Sequence, residues 1–222
     1  MNGDILLGVF DGHGGELVAE YAATHTSSLF RAIDIETKKD PQETLSQLYA
    51  LLVQNTSEYY SGSTANIVWI KDNVAHVAVL GDSITLIQTA TGEIWQSPEH
   101  NISTNEAEAI EAIERGGYID GVYLFDKKVY QGMGLQMSRA LGDRELNRIL
   151  NREPEIFHIQ LNKDSWILLC SDGLIDPSHK TTNNCDSVVE FIENGADAEK
   201  LVLEMAKKQN KDNSTAILAR MD

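Results

Sequence analysis

The run Ile5-Leu6-Leu7-Gly8-Val9-Phe10 ends in Asp11-Gly12-His13-Gly14-Gly15, and a helical pattern opens near Glu16. A short apolar run stopped by a glycine-rich bend reads as a buried strand that turns into a helix. One carboxylate and one imidazole therefore fall on a single strand-to-helix corner. Taken alone the corner is a turn, since Asp and Gly bend chains for local reasons. Its meaning depends on what the other strand ends bring to it.

Outward from the corner, Val18, Ala22, His25 and Leu29 recur at helical spacing, which casts His25 as a packed histidine. Asp40-Pro41-Gln42-Glu43 predicts a second helix start, with Asp as cap and Pro in the first turn, and Leu45, Leu48 and Leu52 form its buried face. From Ser63 the period changes to two. Strands are expected over 63–70, 74–80 and 84–89, a meander whose second strand ends in Gly81-Asp82-Ser83. Ser103-Thr104-Asn105-Glu106 reads as a capping box leading a helix through Ile110 and Ile113 to Gly116-Gly117.

The segment 118–134 carries Gly121, Gly132 and Gly134 among aromatics and charges, the pattern of an irregular hairpin or a flap over a site. A short helical piece over 144–150 and strands over 155–161 and 166–170 follow, the last running into Ser171-Asp172-Gly173. Helices over 186–193 and 197–208 are divided by Asn194-Gly195, and a final strand over 214–220 is entered from Lys211-Asp212-Asn213. There is neither an internal repeat nor a linker-like shift in composition, so 1–222 is expected to be a single domain.

Composition removes several function classes. With 18 basic against 34 acidic residues and a net charge of −16, the chain has the wrong sign for neutralising a nucleic-acid backbone or an anionic membrane. Two cysteines, Cys170 and Cys185, stand in unlike contexts without metal-ligand spacing, which suits a reducing compartment. No apolar run approaches the roughly 18 residues of a membrane span, and no signal peptide is evident, so a cytoplasmic protein is expected.

Asp11, Asp82, Asp172 and Asp212 each flank an apolar strand. If those strand ends converge, the like charges repel unless protons or cations intervene. Oxygen-only clusters suit hard cations, magnesium or manganese rather than zinc or copper. A bridging carboxylate can hold two such ions about 4 Å apart, an arrangement suited to in-line attack on phosphorus.

Six stretches then occur in an order that resembles metal-dependent protein phosphatases of the type 2C family. They are Asp11-Gly12-His13-Gly14-Gly15, Gly62-Ser63-Thr64-Ala65, Gly81-Asp82-Ser83, Ser138-Arg139-Ala140-Leu141-Gly142-Asp143, Ser171-Asp172-Gly173 and Asp212-Asn213-Ser214. The resemblance implies an α+β fold, a four-layer α-β-β-α sandwich of two antiparallel sheets flanked by helices. It implies hydrolysis of phosphoserine and phosphothreonine in proteins by a metal-bridging water or hydroxide. Asp11 would bridge two Mg2+ or Mn2+ ions with the Gly12 carbonyl as a further ligand. Asp172 and Asp212 would complete the set, and Asp82 with Asp172 would support a third, looser ion. His13 matches the general acid that protonates the leaving serine or threonine oxygen. Arg139 and Asp143 are expected to stabilise the loop beside the site. His76 and His100 read as structural or solvent-facing, and Cys170 as a core residue.

The chain also departs from the family pattern. Members usually carry an earlier strand with an arginine that grips the phosphate, and the ten residues before Asp11 contain no counterpart. The expectation is a minimal or N-terminally shortened member, monomeric, with a phosphorylated protein as substrate. Ile84 and Glu99-His100-Asn101-Ile102 are smaller departures. A pseudophosphatase that keeps the fold as a binding module is the alternative. Retention of Asp11, Asp172 and Asp212 favours the enzyme, because a scaffold has no need to crowd their charges.

Overall fold

The computed structural model describes residues 4–37, 40–129, 132–176, 185–208 and 212–221. In chain order the elements begin with β1 (Ile5–Val9), β2 (Gly12–His13), α1 (Leu17–Thr37) and α2 (Pro41–Thr56). There follow β3 (Gly62–Ser63), β4 (Ala65–Lys71), β5 (Val74–Leu80), β6 (Ile84–Gln88), β7 (Ile94–Gln96) and α3 (Glu106–Glu114). Then come β8 (Gly117–Asp120), β9 (Tyr123–Asp126), β10 (Leu141–Gly142), β11 (Glu155–Gln160) and β12 (Trp166–Cys170). The chain closes with α4 (Cys185–Glu193), α5 (Ala198–Lys208) and β13 (Ala216–Arg220).

Two four-stranded sheets carry the fold, ordered β1-β4-β5-β11 and β13-β12-β6-β7, with antiparallel pairing throughout. Strand alternation sends successive side chains to opposite faces. Thus Val68 and Ile70 of β4 join Val77, Val79, Ile87, Ile167 and Leu169 in one cluster that draws on both sheets. Ile67 and Trp69 of the same strand pack instead with Val18, Phe30, Leu45, Leu48 and Leu52 of α1 and α2. A third cluster gathers Ile84, Leu86, Leu168 and Cys170 with Val188, Ile192 and Leu201 of α4 and α5. The α2 start is as expected, with Asp40 Oδ1 accepting the Glu43 backbone N–H at 3.0 Å.

Several local expectations are corrected. The meander does not form, because β6 pairs with β12 and β7 rather than with β5. Gly81-Asp82-Ser83 is a crossing between sheets; the period of two shows that a segment is a strand but not which strand it pairs with. His25 is exposed, its ring stacked on Tyr21 at 4.2 Å and its Nδ1–H donating to the Tyr21 carbonyl. The buried stripe of α1 runs instead through Val18, Ala22, Thr26, Phe30 and Ile33. Asn105, not Ser103, caps α3 by accepting the Glu108 N–H, while the Ser103 hydroxyl donates to Asn101 Oδ1 at 2.6 Å. Ile110 and Ile113 face solvent, and α3 buries Glu108 and Ala112. A carboxylate with a buried guanidinium partner has displaced two isoleucines from the inner face. The helical piece expected over 144–150 contracts to a 3-10 turn, Arg144–Leu146.

Most of the 118–134 segment forms the β8-β9 hairpin, anchored by Leu124, which packs with Ala112, Ile149 and Leu150. Tyr130 and Gln131 of that segment, like Lys211 before the last strand, lie outside the described residues. Among the described residues, no helix is long and apolar enough to cross a membrane.

Candidate metal centre

The corner is held by backbone and hydroxyl groups. The Asp11 N–H donates to Thr64 Oγ1 at 3.0 Å, and the Thr64 N–H returns to the Asp11 carbonyl at 2.9 Å. Thr64 Oγ1 and Ser83 Oγ are 2.7 Å apart, and Asn66 Nδ2 donates to the Ser83 carbonyl at 2.6 Å. This buried chain joins Asp11 to the crossing that carries Asp82. Asp82 is 3% exposed and accepts from Asn101 Nδ2 at 3.1 Å. His100 secures the same turn twice, its Nδ1 accepting the Gly81 N–H and its own N–H donating to the Gly81 carbonyl, both at 3.0 Å.

Asp172 leaves the end of β12, and Asp212 stands ahead of its antiparallel partner β13. Their approach depends on Gly173, where a Cβ would lie 2.2 Å from the Asn213 carbonyl oxygen. The Ser214 hydroxyl donates to the Gly173 carbonyl at 2.7 Å, and the Thr215 N–H donates to Ser171 Oγ at 3.0 Å. Gly12 pairs with Ser63 at the start of the small β10-β3-β2 ladder.

Asp11, Asp82 and Asp172 resist simultaneous ionisation. Burial raises the Asp11 pKa to about 8, and the Asp172 charge, a hydrogen bond shared with Asp172, and the charges of Asp82 and Asp212 act in the same direction. Asp82 is pushed up to about 7, by burial first and then by Asp172, against a lowering from the Asn101 hydrogen bond. Asp172 is raised too, by burial and by Asp212 and Asp176. Removal of protons from such a group requires positive charge from elsewhere, and an all-oxygen donor set fits a hard divalent cation.

His13 sits beside this group on the ladder that joins three of the quoted stretches. Its Nε2–H donates to both oxygens of Asp143, at 2.9 and 2.8 Å, while Nδ1 is buried without a partner. Asp143 thereby selects the tautomer that leaves Nδ1 free for proton exchange. A Cβ at Gly62 would lie 2.0 Å from Asp143 Oδ2 and 2.3 Å from His13 Nε2, so only glycine admits the pair. Arg152 grips the loop below, donating to the carbonyls of Ala140, Gly142 and Asp143. Sequence reasoning passed over Arg152 and Asn101, because neither lies at an offset that betrays a partner ten to nineteen residues away.

A second buried charge group adjoins the first. Arg139 Nε donates to Glu108 at 3.0 and 3.2 Å, Nη2 to Glu108 at 2.5 Å and to Glu155 at 3.2 Å, and Nη1 to the Glu153 carbonyl at 3.0 Å. Burial pushes the Glu108 carboxyl up, but Arg139 and the Ser138 hydroxyl hold it below its ordinary range. Arg139 thus stabilises the loop, as expected. Ligand atoms of His100, Glu108 and Glu155 lie within 4.8 Å of one another, a spacing that can hold a cation, but the guanidinium already supplies the positive charge there. His100 is fully buried rather than solvent-facing, and Cys170 is buried as expected.

Comparison with known proteins identifies the family of the chain. The sequence pattern of protein phosphatase 2C matches residues 2–216. A probable protein phosphatase 2C from Arabidopsis thaliana is 32% identical over 224 residues, covering 97% of this chain and 51% of its own length. A C. elegans sex determining protein of solved structure superposes with a TM-score of 0.82 at 24% identity, over 97% of this chain and 56% of that one. The catalytic domain of the serine/threonine phosphatase PstP, solved with two manganese ions, gives 0.61 at 18% identity over 99% and 91%. The chain belongs to the protein phosphatase 2C family. It spans about half the length of the Arabidopsis relative.

Proposed function

We propose that the chain is an active member of its family, a metal-dependent hydrolase of phosphoserine and phosphothreonine in proteins. The supporting observation is the crowding of Asp11, Asp82, Asp172 and Asp212, with Asp11 and Asp172 sharing a hydrogen bond. In this reading Asp11, Asp172, Asp212 and the Gly12 carbonyl would hold two Mg2+ or Mn2+ ions, and Asp82 with Asp172 would support a third, looser one. Such ions supply Lewis acidity, activating water and screening the charge of the phosphoryl group.

The chain's own residues do the rest. His13, oriented through Nε2 by Asp143, would act in its doubly protonated form, giving its Nδ1 proton to the departing serine or threonine oxygen and returning to the neutral ring that keeps Nε2–H on Asp143. Gly62 leaves room for that pair, and Arg152 keeps the Asp143 loop closed. The β8-β9 hairpin and the irregular segment that includes Met133 serve as the flap: the Met133 methyl would lie 2.9 Å from a Cβ at Gly14, beside the corner. The scaffold is the four-layer sandwich, supported by one apolar cluster shared by the two sheets and two that join a sheet to its helices. We place the protein in the cytoplasm as a monomer, a setting that suits the free thiols of Cys170 and Cys185.

The test is phosphate release from a phosphothreonine peptide with and without Mn2+, by this chain and by Asp172→Asn. Metal-dependent release is expected, reduced at least about 1,000-fold in the variant. Absence of metal-dependent release from folded protein turns the reading to a pseudophosphatase. Equal rates from Asp172→Asn overturn the site while leaving the activity.

A further inference from the structure

One pair of titratable side chains belongs to neither the carboxylate corner nor the Arg139 network. His76 of β5 and His158 of β11 are directly opposed in register. Their Nδ1 atoms are 2.8 Å apart, with ring centroids at 4.9 Å and planes at 71°. His76 is 8% exposed and tilted against Trp69 at 5.5 Å, while His158 opens to solvent.

Two facing imidazole nitrogens cannot both carry a proton. Either one Nδ1–H donates to the other Nδ1, or both turn lone pairs towards a shared electrophile. Nitrogens on adjacent positions of a divalent ion, with bonds of about 2.0–2.1 Å, stand roughly 2.9–3.4 Å apart. The observed spacing falls short of that by a few tenths of an ångström, a change the exposed His158 ring can make by rotating. We infer that His76 and His158 form a two-nitrogen site for a borderline divalent cation of the copper, nickel or zinc class.

Imidazole nitrogen suits those metals, whereas the all-oxygen corner suits magnesium or manganese. The chain therefore offers two sites of opposite preference. Burial, followed by the charges of His158 and Lys71, brings His76 down to about 4, so its lone pair is free at neutral pH. Binding requires both Nδ1 atoms to present lone pairs, so whichever ring carries the Nδ1 proton of the pair takes it on Nε2 instead. Lys71, its Nζ 4.9 Å from the Trp69 ring, opposes the cation electrostatically, while Asp4 and Asp72 favour it. Asp4 already accepts from Trp69 Nε1 at 3.4 Å. Water completes the coordination. Because β11 is the outer strand of its sheet, a bound ion cross-links that edge to β5.

The experiment is Cu2+ titration of the untagged chain in saturating Mg2+, followed by electron paramagnetic resonance. One equivalent with coupling to two nitrogens is expected. His158→Ala, at an exposed position, is expected to lose that pattern and bind at least tenfold more weakly. Asp172→Asn, which alters only the corner, is expected to retain it. An oxygen-only signal in the parent chain overturns the inference, as does an unchanged pattern in His158→Ala or loss of the two-nitrogen signal in Asp172→Asn.

Discussion

The corner of Asp11, Asp82, Asp172 and Asp212 and the network of Glu108, Glu155, Arg139 and His100 are both clusters of ionisable groups inside one framework, and they are opposite in electrostatic design. In the corner, burial and mutual repulsion raise Asp11, Asp82 and Asp172 together. In the network a guanidinium lies against Glu108 and holds it ionised. Like-charged groups without an internal counterion persist only by retaining protons or by taking a cation from solution. The network carries its cation in the sequence; the corner has to acquire one. Helix α3 shows the same contrast in packing, because it turns a glutamate inward and leaves Ile110 and Ile113 outside.

The largest expected effect lies in the corner. Asp11→Asn should lower peptide dephosphorylation at least about 1,000-fold, or about 4 kcal/mol in barrier. In metal-free protein the same change should raise stability by about 1–2 kcal/mol, since it removes a repelled carboxylate. Parallel phosphate-release assays and urea melts check both. A loss of metal-free stability would mean that the corner is compensated like the network.

Arg139→Met should destabilise the protein by about 3–5 kcal/mol, because it leaves Glu108 buried and unpaired. Adding Glu108→Leu should recover much of that loss in the same urea melts. If Mg2+ rescues Arg139→Met instead, the network can act as a cation site and the distinction between the two clusters fails.

Asp143→Asn should reduce kcat about 10–100-fold with metal affinity unchanged, since the anionic acceptor that fixes the His13 tautomer is lost. Steady-state kinetics across Mn2+ concentrations separate that outcome from loss of metal.

The smallest effect is a pH dependence of stability. Burial, then the Arg139 charge, lowers His100 from 6.5 to about 4, so the folded state binds fewer protons than the unfolded chain in that window. The His100 contribution is complete above 6.5 and is lost as pH falls through 4. The stability difference between the parent and His100→Asn should shrink by on the order of 1–3 kcal/mol from pH 7 to pH 4. Taking the difference removes the opposite trend of the raised carboxylates, and a flat difference would place His100 outside the buried network.

What the sequence determined by itself was local and chemical. Strand periods located β4, β5, β6, β11 and β12 to within a residue or two, and Asp40-Pro41 marked the start of α2. The six ordered stretches identified the family, and the four aspartates were recognisable because each closes or opens an apolar strand. Tertiary structure decided what depends on partners distant in the chain. It moved β6 into the second sheet, exposed His25, buried Glu108 through Arg139, and set Asp143, 130 residues away, against His13. It also brought His158 opposite His76. Side-chain period and capping are written along the chain within a few residues. The partner of a strand edge or a buried charge is chosen by packing between segments, and no offset in the sequence records it.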